Sequence, residues 1–451
     1  MDKVVPSPAE AVSDLPDGAS IAISGFGLSS GIPYSLLAAA ADRGSRDLTL
    51  VANGVGGPTA KLIENRQVSR LIVSFVSRPR VESAAADLAM TGELEYEIVP
   101  QGTLVERLRA GGAGLAGVFT PTGVGTPVAE GKELRYFDRK AYLFESAIHV
   151  DYAFVTAYRA DRLGNLEFRG SSQHFNPSFA KAARIAIAEV DEIVEAGEID
   201  PHRVGLAGSF VTRVVKRTIP PELHGVGRFR RPPNTARTYL GKTAWSREQM
   251  AERAAALLPD HSYVNVGLGI PTLITNYLAG RDIQLHGENG ILGYGREADE
   301  SNIDYHVHDA GGSWVTVRPG TAFFDSVTAF EMVRSGKIDV VCLGAYQVDE
   351  AGNVANWRTP EQIGGGIGGA MDMVAGGATV MILMEHRDSK DRAKLVRECT
   401  YPLTGAGCVD LVVTDLAVLR RAADGCFVIE DVAPGFTAEE VAGLAEMRLR
   451  Y

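Results

Sequence analysis

The chain contains an internal repeat, and this repeat constrains its fold more than any other feature. The stretch "DYAFVTAYRADRLGN" (151–165) aligns with "DVVCLGAYQVDEAGN" (339–353) at a shift of 188 residues, whereas "SGIP" (30–33) aligns with "LGIP" (268–271) at a shift of 238. The two shifts differ by 50, so the first half carries about that many additional residues in the region of 60–150. Two related domains built on one plan follow from this pattern.

Short apolar runs alternate with alanine-rich stretches of helical pattern. The clearest strand-like runs are "SIAIS", "DLTLVAN", "RLIVSFV", "YAFVTAY", "YVNVGLG", "IQLHG", "VVCLGAY" and "TVMILME". Such alternation, with glycine-rich turns at the run ends, predicts an α/β protein with mostly parallel sheets. The Pro-, Arg- and Gly-rich stretch 217–241 lacks periodicity. We therefore predict an N-terminal domain over 1–220, a linker over 221–242 and a C-terminal domain over 243–451.

Length and charge exclude several classes of function. A chain of 451 residues is too long for one hydrophobic core, and a net charge of −11 argues against a nucleic-acid or anionic-membrane partner. No run approaches the ~20 apolar residues that span a bilayer. The first 18 residues show neither a signal core nor an Arg-rich transit pattern, and the four cysteines show no CxxC spacing. These observations predict a cytoplasmic location.

A glutamate stands in one copy of a turn that both halves share. "HGENGILGYG" (286–295) aligns with the region of "LTLVANGVGG" (48–57), so that Asn289 matches Asn53 and Glu288 matches Ala52. A glutamate required only by the turn would be expected in both halves. Open α/β sheets bind ligands at the carboxyl ends of their strands, where Glu288 is placed. Glu288 is then a nucleophile, a general base or a metal ligand, and the alternative is a solvated loop glutamate.

Two glycine-rich loops each follow a strand-like run and precede a helix-like one. Backbone N–H groups freed by glycine at such a point can bind phosphate or carboxylate. The glycines concerned are Gly25, Gly27, Gly31, Gly267 and Gly269. The first loop departs from the dinucleotide-binding G-x-G-x-x-G pattern, because its third glycine comes one residue late. It also contains G-x-S-x-G around Ser29, but the matching loop lacks a serine, which argues against a serine nucleophile.

The densest glycine cluster is "GGGIGGAMD" (364–372). Such a segment can approach a ligand closely and direct N–H donors at an oxyanion, and the alternative is a flexible surface loop. "HVHD" (306–309) places two histidines together, but no third ligand follows at metal-binding spacing. We therefore expect His306 and His308 to form a surface pair, and no metal site.

The chain resembles the family I coenzyme A transferases of the fused succinyl-CoA:3-oxoacid type over nearly its whole length. The motifs that carry the resemblance are "GFGL" with "GIP" (25–33), "PQGTLVERLRAGGAG" (100–114), "FTPTGVGT" (119–126), "NVGLGIP" (265–271), "ENGILGYG" (288–295), "GAYQVDEAGNVANW" (344–357), "GIGGAMD" (366–372) and "CTYPLTG" (399–405). The resemblance implies two related open α/β domains with the active site between them.

In that family the glutamate of the E-N-G motif, here Glu288, attacks an acyl-CoA to form an anhydride, and CoA then attacks to form a glutamyl–CoA thioester. The resemblance implies CoA as substrate rather than as a bound cofactor, a small carboxylic acid as second substrate, and a homodimer or tetramer. It also implies oxyanion or substrate contacts for Gly366, Gly368, Gly369, Gln101, Asn53 and Asn289, and a pocket shaped by Gly267 and Gly269.

Several pocket positions depart from the family pattern. The chain reads "SFVSRP" (74–79) where 3-oxoacid members read "SYVGEN", "ANG" (52–54) where they read "SNN", and Gly312 where they have lysine. These changes predict a rebuilt acid pocket, in which Arg78 or Arg80 binds the acid or is merely solvated. They leave two alternatives open: an acyl-CoA hydrolase on the same fold, and an acyl-CoA-binding regulator.

Overall fold

A computed structural model describes residues 1–27, 31–77, 83–221 and 236–451 of the protein. Within these residues the first half forms one large sheet whose neighbouring strands run parallel. In spatial order its strands are Arg213–Lys216, Ala183–Val194, Val150–Asp161, Ser20–Ile23, Leu48–Gly54, Val68–Phe75 and Glu95–Ile98. A short strand, Leu166–Glu167, pairs antiparallel with Val150–Asp161.

The second half forms a larger sheet that is parallel at its centre and antiparallel on both sides of it, and its last pair, Phe427–Val432 with Leu449–Arg450, is parallel again. In spatial order its described strands are Ala322–Phe323, Ile291–Leu292, Ile283–Gly287, Ser262–Val266, Val340–Leu343, Thr379–Leu383, Leu411–Val413, Ala417–Arg421, Phe427–Val432 and Leu449–Arg450. The prediction of an α/β fold with two related, mostly parallel domains is confirmed.

Five strands correspond between the two sheets in order and direction. In each sheet the strand that contains the longer repeated stretch, Val150–Asp161 or Val340–Leu343, lies beside the strand that precedes the glycine loop, Ser20–Ile23 or Ser262–Val266. The strand that leads into the shared turn, Leu48–Gly54 or Ile283–Gly287, lies on the other side. The repeat in the sequence is thus a repeat of topology.

The D-x-x-x-N turns of the repeat have the same hydrogen bonds in both halves. The Asp161 carboxylate accepts from the Asn165 backbone N–H at 2.9 Å and from the Asn165 amide at 2.8 Å. The Asp349 carboxylate accepts the equivalent bonds from Asn353, each at 3.0 Å. The residues that repeat in the sequence are therefore those that build the turn.

The additional residues of the first half build strands that the second half lacks at this place. They include Val68–Phe75 and Glu95–Ile98 and a small antiparallel sheet of Gly117–Thr120, Lys140–Ser146 and Leu134–Phe137. These strands lie within the region 60–150, where the two shifts of the repeat placed the insertion. Smaller sheets pair Thr238–Tyr239 with Lys242–Thr243, and Gln347–Asp349 with Val354–Ala355 and Leu395–Val396.

Helices flank both sheets. The described α-helices are Pro8–Ala11, Tyr34–Arg43, Pro58–Glu64, Ala84–Thr91, Gln101–Gly112, Asn176–Lys181, Arg247–Leu257, Ser326–Arg334, Ala370–Ala375 and Ala438–Gly443, and Ile270–Tyr277 is a 3₁₀ helix. One apolar core cluster is continuous across both halves and contains Phe175 and Phe179 of the first half and Phe330 of the second. Burial of such side chains against each other is what joins the two sheets.

Helix Gln101–Gly112 lies where the halves meet and is buried along nearly its whole length. Its Glu106 carboxylate accepts from Arg334 of the second half at 2.6 Å. The domain boundary within 221–242 stays a prediction, and residues 222–235 of that stretch lie outside the described residues. None of the described helices is long and apolar enough to cross a bilayer.

Candidate active site

Backbone geometry fixes the position of Glu288. The residue follows directly on strand Ile283–Gly287, and the Gly290 N–H donates to the Gly287 carbonyl O at 3.0 Å. Gly290 has φ +94°, and a Cβ atom there would lie 1.9 Å from the carbonyl O of Phe324. Only glycine fits this turn, because it tolerates a positive φ and has no Cβ. The E-N-G motif therefore holds the glutamate at a turn whose backbone conformation requires glycine at position 290.

Asn289 holds the other side of the same turn. Its amide donates to the His308 carbonyl O at 2.8 Å, so the side chain points back into the protein. The prediction of an exposed histidine pair was wrong, because His308 is buried. The packing of His308 against Trp314, with ring centroids 6.1 Å apart, was not readable from "HVHD". Within the described residues no group of acidic, histidine and cysteine side chains is placed to hold a metal ion.

Glu288 lines a cavity of about 490 Å³, which we call the catalytic cavity. Phe26, Phe75, Ser77 and Gln101 contribute from the first half. From the second half come Gly267, Gly269, Gly311, Trp357 and the glycine cluster 366–369. Residues of both halves thus line one cavity with Glu288, which is where the resemblance places the site, between the two domains.

The Glu288 carboxylate is poorly solvated and poorly paired. Its Oε2 atom is buried and has no hydrogen-bond partner among the described residues. The pKa of Glu288 is raised to about 7, chiefly by burial; hydrogen bonds from its own backbone and from the Asn265 side chain oppose the rise, and the charges of Asp309 and Asp372 add to it. A carboxylate with one buried oxygen that lacks a hydrogen bond is costly to keep ionised, and this makes it more reactive than one in water.

Gly369 brings the glycine cluster against the glutamate. A Cβ atom at Gly369 would lie 3.4 Å from Glu288 Oε1 and 3.2 Å from Gln101 Oε1. The Gly366 N–H already donates to the Trp357 carbonyl O at 3.0 Å, and the Gly368 N–H has a long contact of 3.5 Å with the Ser74 carbonyl O. Of the three glycines expected to bind an oxyanion, Gly369 is the one whose Cβ position would contact Glu288.

Gln101 begins the buried helix of the first half and faces the catalytic cavity. Its backbone N–H donates to the Gly368 carbonyl O at 2.9 Å. Its side-chain amide donates to Asn53 Oδ1 at 2.7 Å. Asn53 does not line the catalytic cavity but a neighbouring cavity of about 490 Å³, which we call the second cavity. The two predicted amide residues thus form one pair, with Asn53 behind Gln101.

The glycine loops divide between the two cavities. Gly267 and Gly269 line the catalytic cavity, as the resemblance implies, whereas Gly25 and Gly27 line the second cavity. Gly31 packs on the buried His174, whose Nε2 would lie 2.1 Å from a Cβ at that glycine. The serine of the G-x-S-x-G pattern, Ser29, lies outside the described residues.

Some positions that depart from the family pattern belong to the described residues, and these lie at the site. Phe75 and Ser77 line both cavities. Gly312 has φ +90°, and its Cα would lie 3.9 Å from a Cβ at Gly27 of the other half. Arg78 and Arg80 lie outside the described residues. The pocket is therefore altered at positions next to the reacting groups.

Asp372 is a site residue that the motifs contained and that sequence reasoning did not single out. It is fully buried and accepts from the Gly102 N–H at 2.9 Å and from the Thr122 hydroxyl at 3.0 Å. Burial raises the pKa of Asp372 to about 6. The signal that would have found it is an aspartate immediately after a glycine cluster, in a stretch otherwise apolar.

Asp309 is the second acidic group near the glutamate. Its Oδ1 accepts from the Ser313 N–H at 2.9 Å, and burial raises the pKa of this carboxyl to about 6. Asp309 precedes the loop that carries Gly311 and Gly312. The site thus gathers three acidic side chains, of which only Glu288 was predicted.

Comparison with known proteins identifies the family. The model of the family described as coenzyme A transferase matches residues 5–217 and 247–443. The chain therefore belongs to the coenzyme A transferase family and is an enzyme, a transferase whose substrate is coenzyme A.

Two mammalian relatives align with almost all of the chain. Mouse succinyl-CoA:3-ketoacid coenzyme A transferase 2A, mitochondrial, is 39% identical over 92% of this chain and 83% of its own length. Human succinyl-CoA:3-ketoacid coenzyme A transferase 2, mitochondrial, is 37% identical over 97% of this chain and 88% of its own. A Bacillus subtilis protein, named as one subunit of a probable enzyme of this kind, is 45% identical over 48% of this chain and 90% of its own length. The chain has the fused arrangement.

Solved structures agree on the fold. An acyl-CoA transferase apoenzyme of Escherichia coli O157:H7 superposes with a TM-score of 0.80 at 23% identity, covering 100% of this chain and 95% of that one. The α subunit of a malonate decarboxylase from Acinetobacter baumannii superposes with a TM-score of 0.64 at 16% identity, covering 98% and 83%. Since fold alone does not decide reaction, the function has to be inferred from the site.

The prediction of a cytoplasmic location was wrong. Relatives that align with between 92% and 97% of the chain are named mitochondrial. The prediction rested on the lack of a transit pattern in the first 18 residues. Compartment is set by targeting segments that are separate from the folded domains shared with these relatives, so the fold carries no such information.

Proposed function

We propose that the enzyme moves CoA between succinyl-CoA and a 3-oxoacid, with Glu288 as the covalent nucleophile. One observation carries the proposal: in a cavity formed by both halves, Glu288 Oε2 has no hydrogen-bond partner among the described residues, and Oε1 lies next to Gly369. The names of the full-length relatives support the reaction class.

The first step forms an anhydride. A carboxylate oxygen of Glu288 attacks the thioester carbonyl carbon, the C–S bond breaks, and CoA leaves as a thiolate. The thiolate then attacks the glutamyl carbonyl carbon, which releases the donor acid as its carboxylate and leaves a glutamyl–CoA thioester. An acceptor carboxylate reverses both steps and carries the CoA away. The glutamate is regenerated, as required of a nucleophilic catalyst.

The raised pKa of Glu288 suits these steps. With a pKa of about 7, Glu288 is ionised in a large fraction of molecules near neutral pH and is a stronger base than an exposed glutamate. Orientation within a closed site can supply effective molarities of ~10⁵–10⁸ M, which a weak nucleophile needs against a thioester. Exclusion of water protects both activated intermediates from hydrolysis.

The negative charge that develops on the carbonyl oxygen requires donors already in place. We infer that the Gly369 N–H serves that oxygen, because a Cβ atom at Gly369 would lie 3.4 Å from Glu288 Oε1, and that the second N–H of the Gln101 side-chain amide assists it. Donors fixed before the reaction cost no reorganisation in the transition state, and loss of one such donor typically lowers kcat by ~10²–10³. Asn53 supports the second donor by accepting from Gln101.

Mapping of the covalent intermediate tests this proposal. The enzyme is incubated with succinyl-CoA, trapped with borohydride or hydroxylamine, and digested for mass spectrometry. We expect the mass change on the peptide that contains Glu288 and its loss in Glu288→Gln, but not in the exposed control Glu300→Gln. Transfer of CoA to acetoacetate is measured in parallel.

Two results would contradict the proposal. Modification at a residue other than Glu288 refutes the assignment of the nucleophile. Release of free CoA at the same rate with and without an acceptor acid shows a hydrolase, an alternative that the names of the relatives do not favour. We also propose a homodimer or a dimer of dimers, which light scattering of the purified protein tests.

A further inference from the structure

A buried polar pair lies beneath the nucleophile. Asn265 pairs in register with His286 on the neighbouring parallel strand, and His286 stands two residues before Glu288. Only 0% and 1% of the surfaces of Asn265 and His286 are exposed. On the strand of Asn265 the lining of the catalytic cavity begins at Val266, so the pair lies behind the cavity and supports it from within the sheet.

The neighbours of His286 fix the direction in which the Asn265 amide points. Burial lowers the pKa of His286 to about 4, so its ring is neutral near pH 7. Its Nε2 lies 3.2 Å from the Ala329 carbonyl O, which only accepts, so Nε2 carries the proton and Nδ1 is left as an acceptor. The Asn265 amide nitrogen lies 3.2 Å from that Nδ1 and donates to the His286 carbonyl O, also at 3.2 Å. The NH₂ group therefore faces the strand that leads into Glu288.

The Asn265 amide also acts on Glu288 itself. Burial raises the pKa of Glu288, and hydrogen bonds from its own backbone and from the Asn265 side chain oppose the rise. At the other side of the amide, Asn265 Oδ1 is buried and has no hydrogen-bond partner among the described residues. A buried acceptor without a donor costs folding free energy, so the pair is not explained by stability.

The first half has an apolar pair at the matching position. There Ile21 pairs in register with Leu50, which stands two residues before Ala52, the counterpart of Glu288. Both side chains of this pair are fully buried. The scaffold thus folds without a polar pair at this position. The half that has the acid has the polar pair, and the half that lacks the acid has the apolar one.

From this contrast we propose that Asn265 is a positioning residue for Glu288, and that His286 acts through Asn265 by orienting its amide. The inference rests on the proposed function, in which Glu288 is the nucleophile. The amide holds the ionised carboxylate in one orientation, so that an oxygen is aimed at the thioester carbonyl carbon before the reaction begins. Loss of such positioning lowers kcat, since a misplacement of about 1 Å can cost ~10²-fold in rate.

A change at Asn265 is compared with a change at Tyr263, a residue of the same strand that is 43% exposed. We expect Asn265→Ala to lower kcat by ~10–10²-fold at pH 9, where Glu288 is ionised, with KM within about two-fold of the parent. The acid limb of kcat/KM should also move to higher pH, because the ionised form loses a hydrogen bond. Tyr263→Phe should change neither quantity. The charges of Asp309 and Asp372, which also act on Glu288, are the same in both variants.

Two changes at His286 test whether it acts through Asn265. His286→Asn keeps an acceptor near the place of Nδ1, whereas His286→Gln keeps a donor near the place of Nε2. We expect kcat of His286→Gln to fall as far as that of Asn265→Ala. His286→Asn should recover most of this loss, because it can still orient the amide.

A double variant separates positioning from a merely structural role. Asn265→Ile combined with His286→Leu places the apolar pair of the first half in the second. Replacement of both members of a buried hydrogen-bonded pair by apolar groups leaves stability nearly unchanged. We therefore expect a Tm no lower than that of the parent, together with the low kcat and the shifted acid limb of Asn265→Ala. This variant also supplies the test if a single variant does not fold.

The outcomes separate the inference from the function beneath it. A parent-like kcat with an unmoved acid limb in folded Asn265→Ala or in the double variant would overturn the inference. A lower Tm with normal kcat in the double variant would show a structural pair, and equal losses in His286→Asn and His286→Gln would remove the role of His286. In these cases the parent still transfers CoA through Glu288, so the proposed function stands. Absence of transfer by the parent itself would instead refute that function.

Discussion

The Asp372 carboxylate of the second half accepts a hydrogen bond from the Gly102 N–H of the first half at 2.9 Å. Gly102 has no room for a side chain there, since a Cβ atom would lie 2.4 Å from Asp372 Oδ1. The contact lies one residue from Gln101 on one side and three from Gly369 on the other. It therefore sets the distance between the amide residue and the glycine cluster.

This contact predicts a large effect of Asp372→Ala. The change removes the acceptor of the Gly102 N–H and of the Thr122 O–H, and it removes the carboxylate 3.9 Å from Arg334. Loss of one partner from a buried charged network costs ~3–5 kcal/mol, and we expect a fall of the free energy of unfolding of that size in urea titrations. Asp372→Asn keeps an acceptor and should fold, with a lower kcat and little change in KM. The exposed Asp138→Asn is the control, and a loss of stability in this control equal to that of Asp372→Ala would contradict the expectation.

The raised pKa of Glu288 predicts the pH dependence of catalysis. Because the nucleophile must be ionised, kcat/KM should fall on the acid side with an apparent pKa of about 7. Asp309 raises that pKa by its charge, so Asp309→Asn should move the acid limb to lower pH. Rate profiles between pH 5 and 9 measure both. An acid limb that is unmoved in Asp309→Asn would show that the carboxyl titrated is not Glu288.

The raised pKa of Glu288 also predicts how stability depends on pH. Stability should fall over the pH range in which catalysis rises. The folded protein binds the Glu288 proton more tightly than the unfolded chain, whose pKa is 4.5, so stability falls as the pH rises from 4.5 to about 7. Glu288→Gln removes this loss. Its Tm should exceed that of the parent at pH 8 and equal it at pH 4, by calorimetry. A gain that is the same at both pH values would contradict the linkage.

Gly290 predicts a steric effect that can be separated from backbone strain. Gly290→Ala adds a Cβ 1.9 Å from the Phe324 carbonyl O at φ +94°, whereas Gly320→Ala has φ +90° and meets nothing within 4 Å. The control should lose ~1–2 kcal/mol from its free energy of unfolding through strain alone. Gly290→Ala should lose more than twice as much and all transferase activity. Equal losses in the two variants would show that the clash is relieved by movement of the loop.

The Gln101–Asn53 pair predicts non-additive kinetics. Gln101→Ala should lower kcat by ~10²-fold if the amide serves the developing oxyanion. Asn53→Ala leaves Gln101 free to turn and should cost less. Because the residues are in contact, the double variant should be less impaired than the sum of the two effects, with a coupling of ~0.5–3 kcal/mol. Strict additivity in this double-mutant cycle would show that Asn53 acts by itself.

Sequence reasoning succeeded where short-range chemistry decides the structure. The aspartate–asparagine turns of the repeat, the glycine of the E-N-G turn and the parallel strands all follow from local rules. It failed where a contact joins distant segments, as Asp372 does with Gly102, which stands 270 positions away. It likewise failed for His308. The polar residues near it in "HVHD" suggested an exposed histidine, but its burial depends on contacts with the distant Trp314 and Asn289.

Two matching strand ends occur in this molecule, and only one of them carries an acid. At the other, Ala52 is packed in the interior with 1% of its surface accessible. An electrophilic analogue of the thioester should consequently label Glu288 and not the matching strand end at Ala52, however many copies assemble. Because a charge at position 52 would have no room and no water, the restriction of the acid to one of these two described strand ends is a property of the scaffold as much as of selection for activity.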